Sequence, residues 1–482
     1  MRSTKSMPAA DGPLARQRLA GVVFIALLGV VWLATLREGQ AWGDDFAMYI
    51  MQARNIASGN WFGPTGYIYN PHVAKIGPAA YPPVFPLLLA PLYAIWGLNL
   101  TPMKVEVILF FLAALYLIFE YTIRQVPIAY SAAIVAVTGL SPYFWEMKEN
   151  VVSDLPFLFF TMLALCAIAA CERRGWQSTF GACAAAVCAY LCFATRTAGV
   201  ALLASLFVSA AHRGRWRPKA ILAGALAVAL IGTHSLVFRG AGSYLDQLHS
   251  PWHVLPHHLM AYFWNLRHIF FGAGGIFGWL FLLVLIVLGG AGLAIRLRER
   301  IAPAEAFSLS YGLLVLLWAS DEDTRFLIPI LPMWFLYIAV ALRRLPARAG
   351  ACAGVALCSA AAGGYAVRYS AVDVGSIRGG LGDPAFVRVC DYIGGHTPQG
   401  SVFLFAKPRL LALVTGRPTA AYHQPKSDAE LWNYFHDISA RYVLVNREFP
   451  EDRDYLEPLL LRNPVAAHSL YSQGPFQLYG IP

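Results

Sequence analysis

The sequence predicts a polytopic α-helical membrane protein that ends in a small α/β domain outside the membrane. Its 482 residues are 58% hydrophobic and only 13% charged, whereas soluble domains carry about 25% charged residues. The mean hydropathy of +0.53 agrees with this class. The formal net charge of +10 comes from short basic clusters between apolar runs, as expected for cytoplasmic loops, so we do not interpret it as nucleic-acid binding.

About eleven apolar runs approach or reach the length needed to cross a bilayer, which takes roughly 17 to 25 helical residues. They lie near 19–36, 103–122, 127–144, 154–171, 177–193, 197–212, 219–237, 273–295, 303–319, 326–342 and 347–367. The first run lacks a small-residue cleavage site and is predicted to be a retained helix. A shorter run at 84–97, interrupted by Pro86 and Pro91, could be a twelfth span or an interfacial helix.

Basic residues favour one of these two arrangements, because an added span would invert every later loop. If 84–97 does not cross, most Lys and Arg residues before position 368 fall on the cytoplasmic side, as the positive-inside rule requires. Residues 1–18 are then cytoplasmic, 19–367 form the transmembrane domain, and 37–102 form the first outer loop with juxtamembrane helices.

Residues 368–482 differ in character from the preceding chain. Apolar runs such as SVFLFA and RYVLVN alternate there with helical patterns such as SDAELWNYFHDI. This alternation predicts a small α/β domain, and the topology places it outside the membrane.

Two adjacent aspartates, Asp44 and Asp45, follow the first span in the stretch AWGDDFAMYI. In a structural interpretation, Asp44 caps the N-terminus of a surface helix, DFAMYIMQARNIASGN, which Gly59 ends. In a functional one, the pair provides a general base at the membrane surface. Adjacent helical residues point about 100° apart, so we do not expect both side chains to serve one reacting atom.

A second acidic site lies in ENVVSDLPF, where Glu149 precedes Asp154 at the predicted outer start of a span. Asp154 placed two residues before Pro156 is also a common way to begin a helix. The predicted topology nevertheless puts Asp154 on the same face as Asp44. Two carboxylates at one membrane depth favour a shared site.

Three basic residues are predicted on that same face, namely Lys75, Arg196 in FATRTAG and Arg325 in DEDTRFLIPILP. A charge within the membrane is costly, whereas one at a span end can extend into water. The very short turn around Arg196 favours phosphate binding. Arg325 follows the acidic residues 321–323, so both ion pairing and ligand binding are open for it.

The stretch HSPWHVLPHHLM contains His249, His253 and His257, and a spacing of four would align them on one helix face as ligands for a divalent metal. Pro251 and Pro256 argue against a regular helix across the whole stretch. The nearby tryptophans favour an aromatic loop at the membrane interface instead.

Several segments together resemble a known family. In order, they are GDDFAMYIMQARNIASGNW, YPPVFPLLLAPLYAIWG, SPYFWEMKENVVSDLPFLFF, ATRTAG and RFLIPILP. Their order and spacing resemble the bacterial GT-C glycosyltransferases of the glycosyltransferase 39 and aminoarabinose-transferase type. The resemblance extends over most of residues 19–345.

This resemblance implies a protein of the bacterial inner membrane, a polyprenyl-phosphate-linked sugar donor, an active site on the outer face and a catalytic aspartate in the first loop. Asp44 matches the position of that aspartate and is the expected general base, and Asp154 matches the acid that opens the fourth span. Asp45 is the expected helper, through local hydrogen bonds or a metal site.

Two departures from the family put a lipid A acceptor in doubt. Ala47 and Met48 replace a basic residue and a tyrosine of the aminoarabinose enzymes, and Tyr81 replaces a lysine before the juxtamembrane helix. Tyr81 and Glu149 are expected at the substrate cavity. The acceptor could be a lipid, a glycan or a protein.

The residues and the resemblance agree on a chemistry. A lipid-phosphate sugar needs an apolar groove, cations for its phosphate and a base for the acceptor hydroxyl. Arg196, Arg325 or Lys75 would stabilise the departing phosphate, and one base without an enzyme nucleophile predicts inversion at the anomeric carbon.

The rival function class is a transporter or flippase for lipid-linked sugars or small molecules, in which charges line a path across the membrane. The predicted charges cluster on one face instead, and the sequence shows no inverted repeat. A noncatalytic scaffold whose outer domain binds a partner is a third alternative.

Overall fold

The fold was analysed in a computed structural model that describes residues 12–212, 215–238, 251–270, 275–318 and 323–481. The first part of the chain contains α1 (Gly12–Ala34), α2 (Asp45–Ala57), β1 (Tyr67–Ile68), α3 (Val84–Trp96), α4 (Leu100–Thr122), α5 (Ile128–Gly139), α6 (Pro142–Met147), α7 (Asp154–Arg173), α8 (Thr179–Thr195) and α9 (Leu202–Ala210). The middle part contains β2 (Ala211–His212), β3 (Arg215–Trp216), α10 (Pro218–Val237), α11 (Pro251–Leu266), α12 (Gly275–Glu299), α13 (Pro303–Leu316), α14 (Leu331–Leu342) and α15 (Ala347–Ser370).

The C-terminal part contains α16 (Pro384–His396), β4 (Val402–Leu404), α17 (Pro408–Thr415), β5 (Thr419–Ala420), α18 (Asp428–Asp437), β6 (Ala440–Asn446), α19 (Glu457–Arg462), β7 (His468–Gln473) and β8 (Phe476–Gly480). Short 3₁₀ helices cover Pro71–Ile76, Thr197–Ala201, Arg267–Ile269 and Asp323–Leu327, and a π-helical turn covers Asp452–Leu456.

Each of the predicted apolar runs contains a helix, so the polytopic helical architecture is confirmed. Among the described residues, six helices are long and apolar enough to cross a membrane alone, namely α1 from Arg16 onward, α4, α7, α10, α12 and α15. The apolar helices α5, α8, α9, α13 and α14 are shorter. Helix α3 has 13 residues, about 20 Å at 1.5 Å per residue, so it is shorter than a hydrocarbon core of about 30 Å.

Charged residues are segregated to the two ends of the helical bundle. At the end of α4 that carries Glu120, this side chain pairs with Arg18 at 2.9 Å and Arg124 at 2.8 Å. Nearby, Arg296 pairs with Glu305 at 2.9 Å. The three arginines belong to the predicted cytoplasmic side, whereas the first loop and Asp154 lie at the opposite end of the same helices. We call that opposite end the first-loop end.

The predicted α/β domain is present, but the first loop completes its sheet. The strand order is β1-β5-β4-β6-β8-β7. Strands β1, β5, β4 and β6 are parallel, and β8 and β7 are antiparallel to their neighbours. Since Tyr67 of the first loop pairs in register with Thr419, the first loop and the C-terminal domain fold against each other.

Two helices differ from the sequence-based expectation. Helix α2 ends before Gly59, which has φ +75°, as predicted; however, most of its side chains are buried because it packs against α3 and α17. It is therefore not a surface helix. Helix α11 runs through Pro256 although the prolines argued for a loop. Pro251 stands at its first position, where a proline is tolerated.

Helices α12 and α14 cross closely, and α14 is the helix that follows Arg325 in the chain. A Cβ atom added at Gly292 would lie 1.8 Å from the Tyr337 carbonyl oxygen, and one at Gly289 would lie 2.3 Å from the Trp334 ring. Small residues permit this approach of two backbones within a membrane.

We expect Gly292→Ala to lower the free energy of unfolding by about 1–3 kcal/mol, because its methyl group would overlap the backbone of α14. Thermal unfolding in detergent provides the measurement. Gly290→Ala is the matched control, since a Cβ there meets nothing within 4 Å. Equal midpoints for the two variants would contradict the crossing.

Candidate functional site

A pocket opens at the first-loop end, between the first loop, the turn after α8, α13 and the turn before α14. It encloses about 760 Å³ of empty space including its open mouth. Its polar lining residues are Asp45, Tyr49, Lys75, Tyr81, Arg196, Thr197 and Tyr311. Its other lining residues are mostly apolar, namely Ile76, Gly77, Pro82, Ala198, Leu314, Val315, Trp318 and Phe326.

Asp45 is the carboxylate of the acid pair that faces this pocket. Its Oδ1 accepts a hydrogen bond from the Tyr81 hydroxyl at 2.6 Å, and its Oδ2 accepts one from Arg325 Nη2 at 2.9 Å. Burial alone would raise the pKa of Asp45, but Arg325, Arg409 and Tyr81 outweigh it and lower this pKa to about 2. Asp45 is therefore ionised at neutral pH.

Asp154 joins the site as the first residue of α7, with only 1% of its surface exposed. Its Oδ1 contacts Arg196, and its Oδ2 accepts a hydrogen bond from Arg325 Nη2 at 3.0 Å. The Arg325 guanidinium thus bridges Asp45 and Asp154. The structure brings together Asp45, Asp154, Arg196 and Arg325, all of which sequence analysis selected.

Asp44 has a different environment and does not line the pocket. It stands at the N-cap position of α2 but makes no side-chain cap there, so the capping interpretation is wrong for that helix. Its Oδ1 instead accepts hydrogen bonds from the backbone amides of Arg409 at 3.0 Å and Leu410 at 3.2 Å. Asp44 therefore caps α17 of the C-terminal domain.

The other oxygen of Asp44 is buried and accepts no hydrogen bond within the described part of the chain. Its Oδ2 lies 3.7 Å from Arg409 Nε. Burial raises the pKa of Asp44 to about 6 against the opposing effect of Arg409 and the Leu410 amide.

Arg409 is a site residue that sequence analysis missed. Its side chain has no exposed surface, and its guanidinium lies 4.7 Å from the Tyr67 ring centre and 4.8 Å from that of Tyr81. It donates hydrogen bonds to the Pro78 carbonyl at 3.0 Å and to the Tyr81 hydroxyl. The segment KPRLL carries no pattern that separates this arginine from others near a helix start.

The remaining predicted residues occupy different places. Lys75 is exposed at the pocket and makes no ion pair with a described residue, and Tyr81 is part of the pocket wall. Glu149 is not among the lining residues. It is buried between Lys104, at 3.3 Å, and Lys148, and it accepts the Arg37 amide at 3.1 Å.

The histidine metal site stays a prediction. His249 lies outside the described residues, as does the side chain of His253. His257 is exposed on α11, and the next residue, His258, is buried with its Nδ1 3.0 Å from the Leu316 carbonyl. Among the described residues, no group of three His, Cys, Asp or Glu side chains could hold a metal ion.

Solved structures resemble this chain in fold. No protein-family profile and no curated protein matches the sequence. ArnT from Cupriavidus metallidurans bound to undecaprenyl phosphate superposes with a TM-score of 0.58 at 14% identity, over 98% of both chains. The GT-C fold expected from the sequence is confirmed.

Two further structures share this fold. The oligosaccharyltransferase AglB from Archaeoglobus fulgidus, in complex with an inhibitory peptide and a dolichol-phosphate, gives a TM-score of 0.59 at 11% identity over 95% of this chain and 74% of that one. The arabinofuranosyltransferase AftD from Mycobacteria gives 0.57 at 14% identity over 95% of this chain and 41% of that one.

Asp44 predicts a measurable pH dependence of stability. Its pKa rises from 3.8 to about 6 on folding, so the folded state binds this proton more tightly. That contribution is present below about pH 4 and is lost as the pH rises through 6, an effect of about 3 kcal/mol by linkage. Asp44→Asn keeps an acceptor for α17 and stays neutral, so its stability relative to wild type should increase between pH 4 and 7.

Thermal midpoints in detergent across this pH range provide the measurement. Asp44→Ala is the control, because it also does not titrate but removes the acceptor of two backbone amides, so it should be less stable than Asp44→Asn by about 1–3 kcal/mol at every pH. A difference between Asp44→Asn and wild type that does not vary with pH would refute the assignment.

Proposed function

We propose that this protein is a membrane glycosyltransferase that moves a sugar from a polyprenyl-phosphate donor to an acceptor hydroxyl group on the outer face of the membrane. One observation carries the proposal. At the end of a GT-C helical bundle, the bridged carboxylates Asp45 and Asp154 meet beside a pocket whose exposed cation, Lys75, pairs with no carboxylate of the described residues.

The charge balance of the site suits a phosphodiester. Among the ion-paired described residues, the aspartates at positions 44, 45 and 154 balance the arginines at positions 196, 325 and 409, and Lys75 adds one positive charge at the pocket. A polyprenyl-phosphate sugar carries one negative charge on its phosphate. The fold supports the same donor class, because similar structures contain undecaprenyl phosphate and dolichol-phosphate.

We assign the base role to Asp45 rather than to Asp44, the residue expected from the sequence. A general base must reach the proton that it removes, and of these two carboxylates only Asp45 lines the pocket. Both hydrogen bonds to Asp44 come from α17. Asp44 thus holds the C-terminal domain against the site, and Asp45 meets the acceptor.

A base with a pKa of about 2 is weak, but its neighbours change when donor binds. Arg325 contributes to this low pKa, and its side chain, which is 24% exposed, binds the pocket-lining Asp45. A donor phosphate that draws Arg325 away from Asp45 raises the proton affinity of this carboxylate. Donor binding therefore strengthens the base when the acceptor needs it.

In the proposed reaction, an acceptor hydroxyl oxygen forms a bond to the anomeric carbon of the sugar while its proton passes to Asp45. The bond between the anomeric carbon and the phosphate oxygen breaks, and the polyprenyl phosphate leaves with the electron pair. Lys75 and Arg196 stabilise the departing phosphate. This single displacement inverts the anomeric configuration, and a product that retains it would contradict the mechanism.

Asp45→Asn should lower the transfer rate by about 100-fold or more, because the amide keeps the shape but cannot accept the proton. Purified protein in vesicles is supplied with a panel of undecaprenyl-phosphate monosaccharides and an envelope extract, and released undecaprenyl phosphate is measured. Asp44→Asn is the matched variant and should keep most of the activity. Loss in Asp44→Asn with full activity in Asp45→Asn would return the base role to Asp44.

Lys75→Met should lower kcat/KM for the donor by about tenfold, the effect of losing one charge-assisted contact of about 1.5 kcal/mol. Lys75→Arg should recover much of the loss. Lys426→Met removes the same charge from an exposed position of the C-terminal domain and should change nothing. Equal effects of Lys75→Met and Lys426→Met would show that Lys75 acts only through the overall charge.

A further inference from the structure

Arg409 is a fully buried cation in a domain that the chain reaches only after its last membrane helix. An arginine is rarely fully buried, and burial of its charge costs several kcal/mol unless good partners surround it. The location of the groups that contact the Arg409 side chain therefore indicates which part of the molecule its charge stabilises.

The hydrogen bonds, ion pairs and ring contacts of the Arg409 guanidinium with described residues all lie in the first loop. The guanidinium stacks on Tyr67 and Tyr81, donates to the Pro78 carbonyl and the Tyr81 hydroxyl, and stands 3.4 Å from Asp45 Oδ1. The Arg409 charge therefore interacts with the first loop rather than with its own domain.

The backbone around Arg409 is fixed to the same loop from two sides. Asp44 accepts the Arg409 and Leu410 amides. On the other side of α17, the Thr419 amide donates to the Gly66 carbonyl at 2.8 Å. Helix α17 is thus held at both ends, which sets the guanidinium at a defined distance from Asp45.

We propose that Arg409 is a positioning residue for the catalytic carboxylate, so that the C-terminal domain forms part of the active site. This inference rests on the proposed function. Arg409 fixes the Tyr81 hydroxyl, which donates to Asp45 Oδ1. With Oδ1 held in this way, Oδ2 points to Arg325 and the pocket.

The alternative is that Arg409 only stabilises the fold, and Arg417 provides the comparison. Arg417 is also buried in the C-terminal domain, with 6% exposure. Its side chain donates to the Gly394 carbonyl at 3.1 Å and the Thr397 carbonyl at 2.8 Å, both within its own domain. Loss of Arg417 should destabilise that domain without touching the carboxylates.

The experiment compares Arg409→Met, Arg409→Lys and Arg417→Met as purified full-length proteins in vesicles. The probe is the undecaprenyl-phosphate monosaccharide that wild type consumes, and kcat, KM and the pH profile are measured on protein that elutes as one folded species. Binding of undecaprenyl phosphate alone is measured in parallel, because it does not require transfer.

Arg409→Met should lower kcat by about tenfold or more while KM for the donor changes less than twofold, since Arg409 does not line the pocket. The acid limb of its pH profile should move upward by about one pH unit, because burial, which raises the pKa of Asp45, would then be opposed chiefly by Arg325. Arg409→Lys should recover part of kcat, and Arg417→Met should keep the wild-type profile.

The proposal is overturned if Arg409→Met keeps the wild-type kcat and pH profile, or if Arg409→Met and Arg417→Met lose activity in equal measure with unshifted profiles. A different result is expected if the proposed glycosyltransferase function itself is wrong. In that case wild type itself would neither bind undecaprenyl phosphate nor consume any donor of the panel.

Discussion

The site depends on the pairing of carboxylates that are withdrawn from water. Burying an ion costs several kcal/mol, and the cost is offset only when an opposite charge approaches with good geometry. Arg325 meets this need for Asp45 and Asp154 at once, at 2.9 and 3.0 Å. This guanidinium joins the first loop, the start of α7 and the turn before α14, so the pocket forms only when these three segments meet.

Two sets of contacts fix the chain segment that leads from α1 to Asp45. Where the chain leaves α1, the buried Lys104 ammonium donates to the carbonyls of Arg37 and Gly39 at 2.9 and 2.7 Å, and Lys148 donates to that of Thr35 at 2.8 Å. Glu149 forms an ion pair with each of these two lysines. Further along the chain, the Asp44 carboxylate accepts hydrogen bonds from two backbone amides of α17. The start of α2 therefore has little freedom, and the Asp45 carboxylate at its first residue is held in place by its surroundings.

The sequence allowed prediction of those parts of the molecule that depend on local pattern. Apolar runs gave the helices, and the positive-inside rule grouped Asp154, Arg196 and Arg325 with the acid pair. Glu149 was expected at the substrate cavity because it is near Asp154 in the sequence. It pairs instead with Lys104 and Lys148, and no local sequence pattern indicates these ion pairs. The role of Asp44 and the presence of Arg409 could not be predicted, because these partners lie 365 residues apart and no periodicity connects them.

The different environments of the two aspartates have a chemical consequence for the proposed reaction. In the free protein, Asp45 is held ionised by arginines and is a poor base, so water in the open pocket is not activated. A donor phosphate that binds Arg325 weakens the ion pair between Arg325 and Asp45. The proton affinity of Asp45 therefore rises only when a donor is present. This order of events favours donor binding before acceptor attack. The same coupling explains why the bridging cation should be an arginine, since its planar fork reaches two carboxylates at once and can exchange one for a phosphate without leaving the site.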